Sequence, residues 1–131
     1  MSELRANTIS DAAGTGPVTL TKQSAAKAWI SVNQTGTQAI LASFNVSSIT
    51  DIATGGTAVN YSSAMASATY AALATANPQS FSGATGGVNS AGNAPAGGSK
   101  TANRHGMDLR NGANTPTDFD DASSVVFGDL A

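Results

Sequence analysis

The sequence predicts an all-β fold, a small antiparallel β-sandwich of jelly-roll-like type with about seven or eight short strands. Three observations carry this. Apolar and polar residues alternate over short runs, most clearly in Ala28-Trp29-Ile30-Ser31-Val32-Asn33 and Thr57-Ala58-Val59-Asn60-Tyr61, which is the period of an extended strand. Turn signals punctuate these runs at Gln34–Thr37, Gly55-Gly56 and Asn111-Gly112. Composition adds the third. Ala, Ser, Thr and Gly make up 70 of 131 residues, and the larger apolar types only 28. A core that thin is expected to complete its burial against neighbouring copies.

The elements follow in order. Residues 1–26 hold two apolar patches, Leu4–Ile9 and Val18–Leu20, separated by a Gly/Pro cluster at 14–17. They read as an N-terminal arm or loose hairpin lying on the domain or on a neighbouring subunit, and residues 27–131 as the sandwich domain. In the first strand Ala28, Ile30 and Val32 face the core and Trp29, the only tryptophan, faces outward. A large outward aromatic marks a subunit contact, so Trp29, with Leu4 and Ile9 of the arm, is a candidate interface residue. Gln38–Leu41 is a second short strand. Ser43–Asp51 reads as the next strand, with Phe44 and Val46 on one face and Ile49 brought into phase by a bulge near Ser47-Ser48. It forms an antiparallel hairpin with Thr57–Ser62. Ser62–Ala76 is rich in alanine, the best helix former, but Tyr70, Ala72 and Ala74 alternate. A strand from about Tyr70 is expected, a helical turn over 63–69 being the alternative.

Residues 77–100 form a long Gly/Ala-rich loop whose only large apolar residues are Phe81 and Val88. Loops of that length are uncommon and usually functional, which makes Phe81, Val88 and Asn93 candidates for an exposed tip. The C-terminal block reads as a strand over 101–110 with Met107 and Leu109 on one face, a turn at Asn111-Gly112, a loop over 113–121, and a last strand over 122–127. In that strand Val125 and Phe127 share a face opposite Val126.

Several function classes lose support here. The chain has no cysteine, which removes disulfides and thiolate metal or redox sites. Six scattered Lys and Arg residues against eight acids leave no electrostatic footprint for nucleic acid. Five of the acids lie in the last 24 residues. MSELRANTIS lacks the apolar region of a secretory signal, and no apolar run reaches the roughly 18 residues of a membrane span. A soluble chain made in a cytoplasm, without membrane or nucleic-acid partners, is expected.

Two blocks of motifs resemble a known family. The first contains Lys27-Ala28-Trp29, Gly36-Thr37, Ser43 through Asp51, Val59-Asn60-Tyr61, and Ala64-Met65 with Tyr70. The second contains Arg110-Asn111-Gly112, Thr115–Thr117, Asp118-Phe119-Asp120 and Val125-Val126-Phe127-Gly128. Together, over roughly 27–76 and 101–128, they resemble tail fibres and related small virion proteins of tailed bacteriophages, of the marine-phage type. The 77–100 loop is richer in Gly and Ala than that family, and no shaft or virion-anchoring region is expected. The resemblance implies a homotrimer located in the virion, partnered by other phage virion proteins (of the tail, or the major capsid protein) and by host cell-surface glycan.

Candidate sites have plain structural counterparts. His105, the only histidine, is the base that Ser-His-Asp catalysis would need, but no G-x-S-x-G elbow accompanies it, and a surface or interface role is expected. Asp118, Asp120 and Asp121 lack the glycine and glutamate of an EF-hand and read as a solvated loop. Adjacent loop carboxylates do not make a glycosidase pair. Gly83–Gly87 is neither a P-loop nor a dinucleotide fingerprint. The sequons at Asn33, Asn45 and Asn60 sit in or beside strands and read as coincidental. Trp29 and Tyr70 are a candidate sugar-stacking platform, with packing the preferred role for each. No catalytic residue, cofactor or metal is expected. The leading expectation is a non-enzymatic tail-fibre-like subunit, followed by a trimeric capsid decoration protein. A carbohydrate-binding module outside any virus comes third.

Overall fold

A computed structural model of the chain describes residues 25–76 and 99–131. The structure is all-β, with seven strands in this part of the chain: β1 (Ala28–Asn33), β2 (Ala39–Phe44), β3 (Val46–Ala53), β4 (Gly56–Tyr61), β5 (Ala71–Ala76), β6 (Arg104–Asp108) and β7 (Ala122–Phe127). They form two antiparallel sheets, one ordered β2-β1-β7-β5 and one ordered β3-β4-β6. The expected arm over residues 1–26 and the loop at 77–100 lie almost wholly outside the described residues.

Strand alternation places the core between the sheets. Ala28, Ile30 and Val32 from β1 and Ala122 and Val126 from β7 are at most 1% exposed. They meet Val59 from β4 and Met107 from β6, both fully buried. Leu109 and Phe119 close one end. Tyr61, Met65 and Tyr70 gather in a second cluster with Ala28 and Val126. Much of the inner surface is alanine, so the thin composition read from the sequence is concentrated here as Ala28, Ala74, Ala76 and Ala122.

The inward and outward faces of the first strand are as the alternation predicts, with Trp29 40% exposed. The turn after β1 places Gly36 at φ +67°, and the Asn33 carboxamide oxygen accepts hydrogen bonds from the backbone N–H and hydroxyl of Thr35. β2 runs to Phe44 and carries one extra residue: Ser31 pairs with Ala42 and Val32 with Ile40, leaving Leu41 as the bulge.

One expectation is overturned here. Ser43–Asp51 is not a single strand. The chain turns at Asn45, which adopts φ +55°, and crosses from one sheet to the other. Phe44 therefore ends in β2 opposite Trp29, 53% exposed, while Val46 opens β3 and packs against the core. The physical cause is the Asn45 side chain. Asparagine tolerates the left-handed region better than most residues. Its amide donates to the carbonyls of Lys27 and Ser63, and its oxygen accepts from the Ser63 N–H. The bulge expected near Ser47-Ser48 is present as a register shift between Val46 and Ser48.

The β3–β4 hairpin turns at Gly55, φ +72°. A Cβ there would lie 2.2 Å from the Leu109 carbonyl oxygen and 2.8 Å from the Thr117 nitrogen, so only glycine fits. Residues 62–70 form no helix, and β5 begins at Ala71 as the alternation predicts. Three pairings join the distant halves of the chain: β1 with β7, β5 with β7 and β4 with β6.

Candidate functional site

The described polar groups divide into those consumed by the fold and those left at the surface. His105 belongs to the first kind. It sits on β6 with Met107, facing inward, and is 1% exposed. This corrects the surface or interface role expected for it. Its Nδ1 lies 2.9 Å from the Tyr61 hydroxyl and its Nε2 lies 2.8 Å from Ser124 Oγ. A neutral imidazole has one donor and one acceptor nitrogen, and this pair of hydroxyls satisfies both in either tautomer. The ring stacks on Tyr61, which in turn meets Tyr70 edge-on. Burial, with a smaller contribution from the Lys100 charge, pushes the imidazole down to about 4. Burial likewise raises both tyrosine hydroxyls above their ordinary range. A histidine bonded to a serine has the connectivity of a nucleophile and its base, but at 1% and 5% exposure this pair is closed in between the sheets.

Tyr70 is part of the same core. Its hydroxyl lies 2.6 Å from the Arg104 carbonyl oxygen and 2.9 Å from that of Thr101, and the Lys100 ammonium sits over its ring and donates to its carbonyl. Being 5% exposed, Tyr70 cannot form a joint stacking platform with the outward Trp29.

A second buried polar junction was not foreseen in the sequence. Gln34, read there only as part of a turn, is 1% exposed. Its amide donates to Thr57 Oγ1 at 2.8 Å, its oxygen accepts from the Phe119 N–H at 3.2 Å, and the Thr57 hydroxyl donates to Gln38 Oε1. A glutamine in a Gly/Thr turn carries no local signal of burial; only the approach of the 117–121 loop encloses it.

The aspartates serve the fold as well. Asp118 Oδ1 accepts the Gly55 N–H at 2.6 Å, which corrects its reading as part of a solvated loop and fastens that loop to the β3–β4 turn. Asp121 accepts from Ser31 Oγ at 3.5 Å. Asp108 pairs through Oδ2 with Arg110, and its Oδ1 is buried with no hydrogen-bond partner among the described residues. Among the described residues, no three acidic or histidine side chains come together as metal ligands would.

What remains at the surface differs sharply between the two sheets. The outer side of the three-stranded sheet is polar: Asn60 donates to Ser48 and Thr50 across β3 and β4, with Arg104 opposite Asn60. The outer side of the four-stranded sheet is apolar. Register places Phe44 opposite Trp29, Trp29 opposite Val125, and Val125 opposite Leu73, one residue from each of the four strands. Phe127 lies on the same side, opposite Ala71. Trp29, Phe44 and Leu73 are 40%, 53% and 56% exposed. The strands β1, β2, β5 and β7 contain no charged residue on either face.

This face is the candidate functional site. Of the residues singled out in the sequence, Trp29 lies on it. Leu4, Ile9, Phe81, Val88 and Asn93 lie outside the described residues. Phe44, Leu73 and Val125 were not singled out. The missed signal was the absence of charge from four separate segments, which acquires meaning only when those segments pair. Comparison with protein-family models, with curated proteins and with solved structures finds no match.

Proposed function

We propose that this chain is a non-enzymatic structural subunit of a tailed-bacteriophage virion. It is a tail-fibre-like appendage protein that assembles as a homotrimer, joins other virion proteins and meets glycan on the host surface. The observation that supports an assembly role is the uncharged, apolar outer face of the four-stranded sheet. An antiparallel sheet face left to water normally carries polar side chains, as the outer face of the other sheet does. The virion part of the reading rests on the motif resemblance. The two resembling blocks interlock in one unit, since β1 pairs with β7 and β4 with β6. A jelly-roll winding draws no support from the strand order, in which β1–β2 and β3–β4 remain plain hairpins.

The test is gold-labelled antibody against the purified chain, applied to intact particles of the phage that encodes it. Label on the tail supports the appendage reading. Label on the head transfers the chain to capsid decoration, and unlabelled particles refute a virion role. Host contact is tested separately, by whether the purified protein competes with particles for adsorption.

A further inference from the structure

We infer that the outer face of the four-stranded sheet, centred on the row Phe44–Trp29–Val125–Leu73, is the surface by which copies of this chain bind one another. The inference deepens the assembly part of the proposed function by naming the surface and its occupant, and does not depend on the virion part.

Geometry comes first. Directly opposed side chains on one side of an antiparallel sheet stand about 5 Å apart. The row therefore crosses the whole sheet as one continuous ridge. β2 is the sheet edge beyond it, with all six residues exposed and neither a charge nor a proline to blunt it; Phe44 stands on the ridge side, whereas Ile40, opposite Val32, has the inner parity.

Area comes second. Aromatic side chains offer about 150–250 Å² each, so Trp29 and Phe44 at 40% and 53% exposure leave roughly 200 Å² uncovered between them. Leu73 at 56% exposure, with the half-buried Val125 and Phe127, brings the face to about 400 Å², within the ~300–600 Å² range of the largest, often functional, patches on monomers. Two such faces supply about 800 Å² of apolar contact. Ser31, Asn33, Ser123 and Thr75 surround the ridge as a polar rim and carry the total toward the ~1,200 Å² of a stable interface.

Charge identifies the occupant. Near a symmetry axis, two-fold or three-fold, a residue meets its own copies, so any charge there faces itself. A face that binds a different, charged partner gains from complementary charges. Within its four strands this face has none, Asp121 beside Ser31 standing at the rim, while the opposite sheet carries Asp51, Arg104 and Asp108. That asymmetry favours a second copy of the chain over a charged partner.

The test uses the purified full chain. Sedimentation velocity over a dilution series reads association. Acrylamide quenching of Trp29, the only tryptophan, reads whether this face is covered. The wild type is expected to associate, with Trp29 becoming more accessible to quencher as the complex dissociates on dilution. Leu73→Lys, which brings like charges together in the contact, is expected to weaken association at least about a hundredfold with an unchanged far-ultraviolet circular dichroism spectrum. Phe44→Ala, a milder change at the sheet edge, should weaken it about tenfold. Ser67→Lys, exposed in the 62–70 segment, should leave it unchanged. The inference is overturned if the wild type stays monomeric throughout, or if folded Leu73→Lys and Phe44→Ala variants associate as the wild type does. A monomer whose Trp29 is nonetheless shielded also overturns it, since the face is then covered by another part of the same chain.

Discussion

Acidification is expected to destabilise the fold through His105, and the size of the effect follows from its surroundings. The ring is 1% exposed, and both nitrogens are engaged by neutral hydroxyls at 2.9 and 2.8 Å. The charged and titratable groups about it, Lys100, Tyr61 and Tyr70, offer no anion in the acidic range, because burial keeps both phenols protonated. The imidazole is held at about 4 against an ordinary 6.5. The unfolded chain therefore binds the proton first as pH falls, and stability drops with it. The contribution is complete above pH 6.5, declines between 6.5 and 4, and is gone below 4. At about 1.4 kcal/mol per pH unit the whole loss is of order 3 kcal/mol, and about 2 kcal/mol of it has occurred by pH 5. Urea titrations of wild type and His105→Gln at a series of pH values between 7.5 and 5 measure it. The variant should be less stable at neutral pH by about 1–3 kcal/mol, through imperfect bonding to Tyr61 and Ser124, but its pH slope should be flatter by the histidine's share. Equal slopes in the two proteins would refute the argument. So would a His105 ring proton titrating near 6.5 by NMR.

Three further substitutions probe the joints of the fold. Gly55→Ala forces a Cβ to within 2.2 Å of a backbone carbonyl at positive φ. It should cost more than about 3 kcal/mol or abolish folding, as read by denaturant melts. Asn45→Ala removes three hydrogen bonds and leaves φ +55° to an alanine; a loss of about 2–3 kcal/mol is expected. Asn45→Gly should recover part of it, and a glycine variant no better than alanine would mean that the backbone conformation is not a factor. Gln34→Ala strands the buried Phe119 N–H and removes the donor to Thr57 Oγ1, whose own bond to Gln38 remains. It should destabilise by about 2–3 kcal/mol, with faster amide exchange at Phe119 as the local signature.

The readable part of the fold was the part encoded within single strands. Alternation in 28–33 assigned the inward and outward residues of β1, and the phase slip between Val46 and Ile49 located the bulge in β3. Ser43–Asp51 failed because a polar-apolar pattern continues through Asn45 while the backbone does not. The left-handed turn there depends on hydrogen bonds to Lys27 and Ser63, both distant along the chain. His105 failed for a related reason. Its parity with Met107 and Leu109 pointed inward, but a titratable residue is expected outside until its partners are known, and Tyr61 and Ser124 come from β4 and β7.

By itself, the sequence determined the β class, most of the turns, the inward residues of β1 and the outward position of Trp29, because side-chain direction in a strand has a period of two and needs no partner to define it. Only the tertiary structure decided which outward residues become neighbours. Phe44, Trp29, Val125 and Leu73 are far apart along the chain and form one uncharged ridge only through the order β2-β1-β7-β5. Strand order is set by long-range burial between the two sheets, which no local pattern records.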